Sequence, residues 1–184
     1  IPMLICAPVT SRSGYGSHAR DLTHAFLQHN KYDVKIFDVP WGQCPRNALD
    51  KNNPNDKKIL NHFLTSNTID RQPDIYVDIR IPNEFERIGK FNIGITAGVE
   101  TTAVSQNWLE KCNQMDLVIV PSNHSKGGFV NALYEKMQQL PDGKQQKIGE
   151  LKLEKPIKVL FEGTNDNTYK PIDNSSLDLV DDIK

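Results

Sequence analysis

The side chains best suited to chemistry in this chain gather in four short stretches, each following an apolar run. The first is Thr10-Ser-Arg-Ser-Gly-Tyr-Gly-Ser-His18. Gly14 and Gly16 let a backbone approach a ligand closely, and N–H groups at a helix N-terminus suit an anion or a sugar hydroxyl. Arg12, Ser13 and His18 supply further donors, and Tyr15 stands between the glycines. The same residues also read as an ordinary turn between a strand and a helix. The third glycine of the dinucleotide fingerprint is missing, as is the Gly-Lys-Ser/Thr of a phosphate loop.

The second stretch is Gly94-Ile-Thr-Ala-Gly-Val-Glu-Thr-Thr102. Glu100 could accept hydrogen bonds from sugar hydroxyls or act as a base. Alternatively it is an acid stabilised by the start of a helix. Trp108, further along, reads either as core or as a surface on which a sugar ring stacks. In the third stretch, Val120-Pro-Ser-Asn-His-Ser-Lys126, Ser122 or Asn123 caps a helix whose start, with Lys126, could also touch a ligand. The fourth runs from Phe161 to Pro171 and holds Glu162 and Gly163. Gly163 permits a turn, and Asn165 and Asp166 favour local turn bonding.

Strands and helices in alternation must position these stretches. Leu4–Pro8 reads as a buried strand. Ser17 then caps a helix to about residue 30, with Ala19, Leu22, Ala25 and Phe26 on one face. Val34, Ile36 and Phe37 form a second strand that ends at Pro40. Strand, helix and strand over residues 4–37 make a βαβ unit, whose crossover implies a parallel pair. After a polar stretch, 43–56, Ile59, Leu60, Phe63 and Leu64 recur at helical spacing. Further strands are expected at 74–79, 91–96, 117–120 and 157–161, and a helix at 108–115. Phe129, Val130, Leu133 and Met137 mark another helix, broken at Pro141-Asp142-Gly143. Residues 142–155 read as an exposed loop or hairpin. The expected fold is α/β, an open, doubly wound, mostly parallel Rossmann-like sheet over residues 1–171. Residues 172–184 are expected to be a linker or the start of a further domain. Ligands of such sheets bind beyond the carboxyl ends of the strands, which points to loops 10–17, 80–84, 97–104, 121–127 and 162–168.

Composition excludes several classes. A formal net charge of −1 with dispersed basic residues gives no field for nucleic acid. No apolar run approaches the roughly 20 residues of a membrane span. Residues 2–9 are apolar but too few, and lack the basic leader of a signal peptide. A chain that opens on Ile1 fits an excerpt or a processed product. Cys6, Cys44 and Cys112 are odd in number and widely spaced, which fits reduced cytoplasmic thiols better than a disulfide framework or a zinc site. The histidines lack metal-ligand spacing, and no Gly-x-Ser-x-Gly elbow occurs. The sequons at Asn123 and Asn174 are short enough to arise by chance.

In order, these stretches resemble the N-terminal domain of family-4-like glycosyltransferases of GT-B architecture. Ser13-Gly-Tyr-Gly-Ser-His-Ala-Arg-Asp-Leu22 is similar to that family's glycine-rich loop running into a helix. Val99-Glu-Thr-Thr followed by Trp108 is similar to a Glu-Thr…Trp segment of some members. Asp116-Leu-Val-Ile-Val-Pro-Ser122 matches a frequent strand-Pro-Ser junction. Ile157-Lys-Val-Leu-Phe-Glu-Gly-Thr-Asn165, continuing to Tyr169-Lys-Pro171, resembles the segment leading into the second domain, with Thr164-Asn165 in place of the usual Val-Asp.

The resemblance implies a hexosyltransferase that moves a sugar from a nucleotide-sugar, a UDP- or GDP-sugar, to a hydroxyl of a glycan, lipid or protein acceptor. It implies retention of configuration without an essential metal. The donor would be held mainly by a C-terminal domain carrying a paired-glutamate motif, so this portion alone would bind no cofactor and be nearly inactive. Residue by residue, Gly14 and Gly16 match the loop near donor phosphates and acceptor, and Glu100 stands roughly where many members carry a histidine near the transferred sugar. Ser122 and Lys126 match the edge of the interdomain cleft, and Glu162 and Gly163 the end of the last strand. The alternative is a stand-alone Rossmann-like binding module without catalysis. A weaker third reading, a dinucleotide-dependent oxidoreductase, rests on Asp38.

Overall fold

The computed structural model describes residues 1–170 apart from 67, 142, 165, 167 and 168. The remainder of the fourth stretch, the sequon at Asn174 and the expected linker therefore lie outside the described residues. Six strands form one parallel sheet in the order β2-β1-β3-β4-β5-β8. They are β1 (Pro2–Ala7), β2 (Asp33–Asp38), β3 (Ile75–Ile79), β4 (Phe91–Ile95), β5 (Leu117–Val120) and β8 (Ile157–Val159). With helices on the sheet, this is a Rossmann-like α/β fold. The strand order turns around between β1 and β3, so the crevice typical of such sheets falls at the carboxyl ends of those two strands.

The first strand is apolar throughout because both of its faces are covered. Met3, Ile5 and Ala7 join one core with Val34, Ile36, Val77 and Ile79, under α1 (Gly14–His29) and α2 (Pro54–Leu60). Leu4 and Cys6 point the other way, toward Tyr76 and Val39. A separate core gathers Val118, Val120 and Ile157 beneath α3 (Gln106–Cys112) and α4 (Asn123–Val130), with Phe85, Leu109, Cys112 and Phe129.

Several expectations are corrected. Ser13, not Ser17, caps α1: its backbone is extended and its Oγ accepts from the Gly16 N–H. The Ser17 N–H already makes the first helical bond, to the Ser13 carbonyl. Both glycines therefore lie in the first helical turn rather than in a loop. Ala25 is exposed, and Thr23 takes the buried place, its hydroxyl donating to the Ala19 carbonyl. The helix α2 stops at Leu60, and Phe63 forms a bridge beside Ile36. The helix α4 stops at Val130, so Leu133 and Met137 are not helical. Instead β6 (Tyr134–Gln139) pairs antiparallel with β7 (Gln145–Leu151). The four-residue spacing of 129, 133 and 137 imitates a helix. Non-local pairing wins because Tyr134 and Leu151 anchor the hairpin's base in the second core. The last strand ends at Val159, leaving Leu160 and Phe161 outside it and exposed.

Candidate functional site

The carboxyl edge is built from the first loop outward. Residues 9–12 are held by the chain itself rather than open. Thr10 donates its amide and its hydroxyl to the Asp38 carboxylate, at 3.1 and 2.6 Å. Arg46 closes on the same carboxylate at 2.6 Å. Arg12 donates to Asn47 Oδ1 at 2.8 Å, and its amide donates to the Pro45 carbonyl. Arg20 spans the Val9 and Ser11 carbonyls at 3.0 and 2.9 Å, and burial pushes its pKa below the ordinary arginine value. The polar stretch after β2 is thus folded onto the first loop. Asp38, the acid at the end of the second strand, has its carboxylate committed to Thr10 and Arg46.

Gly16 is required here by close approach. A Cβ at Gly16 would lie 2.2 Å from the Ser11 carbonyl oxygen and 3.0 Å from that of Pro8. Gly14, by contrast, has nothing within 4 Å. The amides of Gly14 and Tyr15 take no partner among the described residues, so the N-terminus of α1 keeps two outward donors.

Tyr15 joins the first and second stretches. Its hydroxyl lies 2.9 Å from Thr96 Oγ1 and accepts from the Ala97 N–H at 3.0 Å. Burial, with hydrogen bonds opposing, raises the phenol above its usual pKa. The Ala97 carbonyl accepts from Ser125 Oγ at 2.9 Å, and the Ser125 amide donates to Ser122 Oγ, the cap of α4. One chain of hydrogen bonds therefore ties the start of α1, the end of β4 and the start of α4. The fourth stretch arrives through Glu162, whose Oε1 lies 3.6 Å from His18 Nδ1.

The structure brings together Tyr15, Ser122 and their partners, and separately His18 with Glu162. It does not place Glu100 against them. Glu100 is exposed and makes no hydrogen bond or ion pair with a described residue. Lys126 is half-buried and also unpartnered among them, and Gly163 stands in open space. Trp108 stacks on Phe129 in the second core, with centroids 6.1 Å apart, which leaves it the packing role.

Two features escaped the sequence reading. At the strand-order reversal, Asp78 is fully buried and takes Arg80 Nε at 2.6 Å and Nη2 at 2.8 Å. Tyr76 Oη and the Glu86 amide donate to the same carboxylate. Its hydrogen bonds and charge raise the Arg80 pKa despite burial. Beside it, burial and Asp78 push the Cys6 thiol up to about 12, so the thiol stays protonated and inert. Only the i, i+2 spacing of Tyr76, Asp78 and Arg80 along a strand hints at this group. The second missed feature is Trp41, in a loop after β2 that lies on the same carboxyl edge. Its ring stacks on Tyr15, with centroids 4.2 Å apart and planes inclined by 24°. The signal was the Pro40-Trp41-Gly42 sequence directly after a strand.

Among the described residues, no group of three or more His, Cys, Asp or Glu is placed to hold a metal ion, and no helix is long and apolar enough to cross a membrane. No family profile, curated protein or solved structure matches the chain. The class that fold and edge define is a Rossmann-like α/β domain whose carboxyl-edge loops are tied to one another.

Proposed function

We propose that this chain is the acceptor-side half of a GT-B-type glycosyltransferase using a nucleotide-sugar donor. The observation that carries the reading is the Tyr15–Thr96–Ala97–Ser125–Ser122 chain of hydrogen bonds. It gathers at the ligand-binding edge three of the stretches on which the family resemblance rests. In the reaction, the bond between the donor's anomeric carbon and its phosphate oxygen breaks. A glycosidic bond to the acceptor oxygen forms, the acceptor proton leaves, and a nucleoside diphosphate is released. This half contributes orientation: it fixes the acceptor at the mouth of the crevice and offers the Gly14 and Tyr15 amides to an anionic or hydroxyl-bearing group. Glu100, exposed at that edge though apart from the Tyr15–Ser122 chain, is the carboxylate we assign to receive the acceptor proton.

The test is turnover by the parent protein carrying this chain, offered UDP-, GDP- and ADP-sugars in turn. The expected result is release of nucleoside diphosphate from one of them, accelerated by an acceptor. A parent protein that neither binds nor consumes any of these donors would end the proposal.

A further inference from the structure

The described edge has an aromatic feature that nothing above explains. Trp41 and Tyr15 stack face to face, although neither belongs wholly to the core. Trp41 opens a tight turn in which the Cys44 amide donates to the Trp41 carbonyl at 3.0 Å. Gly42 supplies the left-handed conformation the turn requires, with φ of 50°. Tyr15 is held at its far end by Thr96 and Ala97. The indole is thereby fixed by a turn on one side and a hydrogen-bonded phenol on the other. Tyr15 covers one of its faces, and Trp41 as a whole stays only partly buried. A partly exposed tryptophan, backed by a second ring at the carboxyl edge of such a sheet, is the form a stacking platform takes.

We infer that Trp41 is a single-sided platform for a pyranose ring of the acceptor, and hence that the acceptor is a glycan. This rests on the glycosyltransferase reading for the word acceptor, though not for the binding itself. A pyranose presents one face of C–H groups, which gains by leaving water against an aromatic surface, while its hydroxyls stay outward. The unpartnered Gly14 and Tyr15 amides stand at the same helix start to receive such hydroxyls. A nucleotide suits the place less well. The arginines nearest the stack are already engaged and offer a nucleotide's phosphates no ready clamp: Arg46 is paired with Asp38, Arg12 spends two donors on Asn47, and Arg20 is turned onto backbone carbonyls. Tyr15 is the positioning residue behind the platform.

The chain has two tryptophans, so its nitrogen–proton spectrum has two indole signals, the Trp41 signal being the one lost in Trp41→Phe. The probes are linear oligosaccharides of glucose, mannose, galactose and N-acetylglucosamine at millimolar concentration, and separately UDP, GDP and ADP. The expected outcome is saturable movement of the Trp41 signal with at least one oligosaccharide series and a still Trp108 signal. Trp41→Ala weakens that binding by about tenfold or more, Trp41→Phe preserves most of it, and Tyr15→Phe weakens it by a smaller factor. A Trp41 signal unmoved by every oligosaccharide overturns the inference, as does saturation by a nucleoside diphosphate alone. Unchanged glycan affinity in Trp41→Ala overturns it as well. Glycan binding without turnover in the parent protein would remove the enzyme reading and leave the platform. Turnover with a silent Trp41 would do the reverse.

Discussion

The two halves of the sheet are finished differently. Around β1, β2 and β3 both faces are covered: one by α1 and α2, the other by Val39, Leu64 and Ile88. Around β4, β5 and β8 the helices α3 and α4 share one face with Phe85. The other face continues the first core: Ile95 is buried in it and Ile93 and Ile119 pack half-buried against it, while Leu117 is half-buried and Phe91, at the start of β4, is 45% exposed. Near that face, the segment after β8 reaches α1 through the His18–Glu162 pair. Parallel sheets are stable when both faces are shielded from water. The first half therefore holds the more fully buried part of the frame, and burial thins toward Phe91 and Leu117 in the second.

The largest expected effect lies at the seam between the halves. Asp78→Ala leaves the Arg80 guanidinium without its carboxylate and removes the acceptor for Tyr76 and Glu86, which costs about 3–5 kcal/mol. Urea unfolding measures it, and a loss below about 1 kcal/mol would show that the pair does not order the 80–86 loop.

Next comes a direct contrast. Ile5→Ala, in the doubly covered half, is expected to cost about 2–5 kcal/mol. Ile119→Ala, half-buried at the margin of that same core, should cost about 1 kcal/mol, because less of its area is removed from water. Equal losses would abolish the distinction drawn between the halves.

A smaller contrast sits within one helical turn. Gly16→Ala drives a methyl into the Ser11 carbonyl and should cost about 1–3 kcal/mol. Gly14→Ala enters open space and should be neutral or stabilising by up to about 1 kcal/mol. Thermal melts of the two variants would separate them in opposite directions.

The smallest effect is a pH dependence in the second half. Burial tends to raise the Asp116 carboxyl, but hydrogen bonds from Asn92 and Arg87 outweigh it and hold the pKa below the ordinary value. A depressed carboxyl contributes stability above its unfolded pKa of about 4, and loses it as pH falls through the folded value. The wild-type advantage over Asp116→Asn should thus be full at neutral pH and fade below about pH 4.

Much of this was legible in the residues. The stretches at 4–8, 34–37, 74–79, 91–96 and 117–120 all hold strands of the parallel sheet; 4–8 and 117–120 are continuously apolar, as strands covered on both faces are, while Lys35, Asp78 and Asn92 interrupt the other three. Of the two cap candidates Ser122 and Asn123, the structure selects Ser122, whose Oγ accepts from the Ser125 amide. The hairpin was misread beyond Val130, where spacing alone could not choose between a helix and a non-local pairing. Trp41 was passed over because the partner that makes it significant, Tyr15, lies on another element.

By itself, the sequence determined the alternation of strands and helices and a mostly parallel, doubly wound sheet. These follow from hydrophobic period, element length and the order of strand, helix and strand along the chain, all of which are legible locally. The tertiary structure decided which edge residues meet. Tyr15 with Thr96, Asp38 with Thr10 and Arg46, and His18 with Glu162 are joined across elements. Their pairing depends on the strand order β2-β1-β3-β4-β5-β8 and on side-chain reach, neither of which any local pattern encodes.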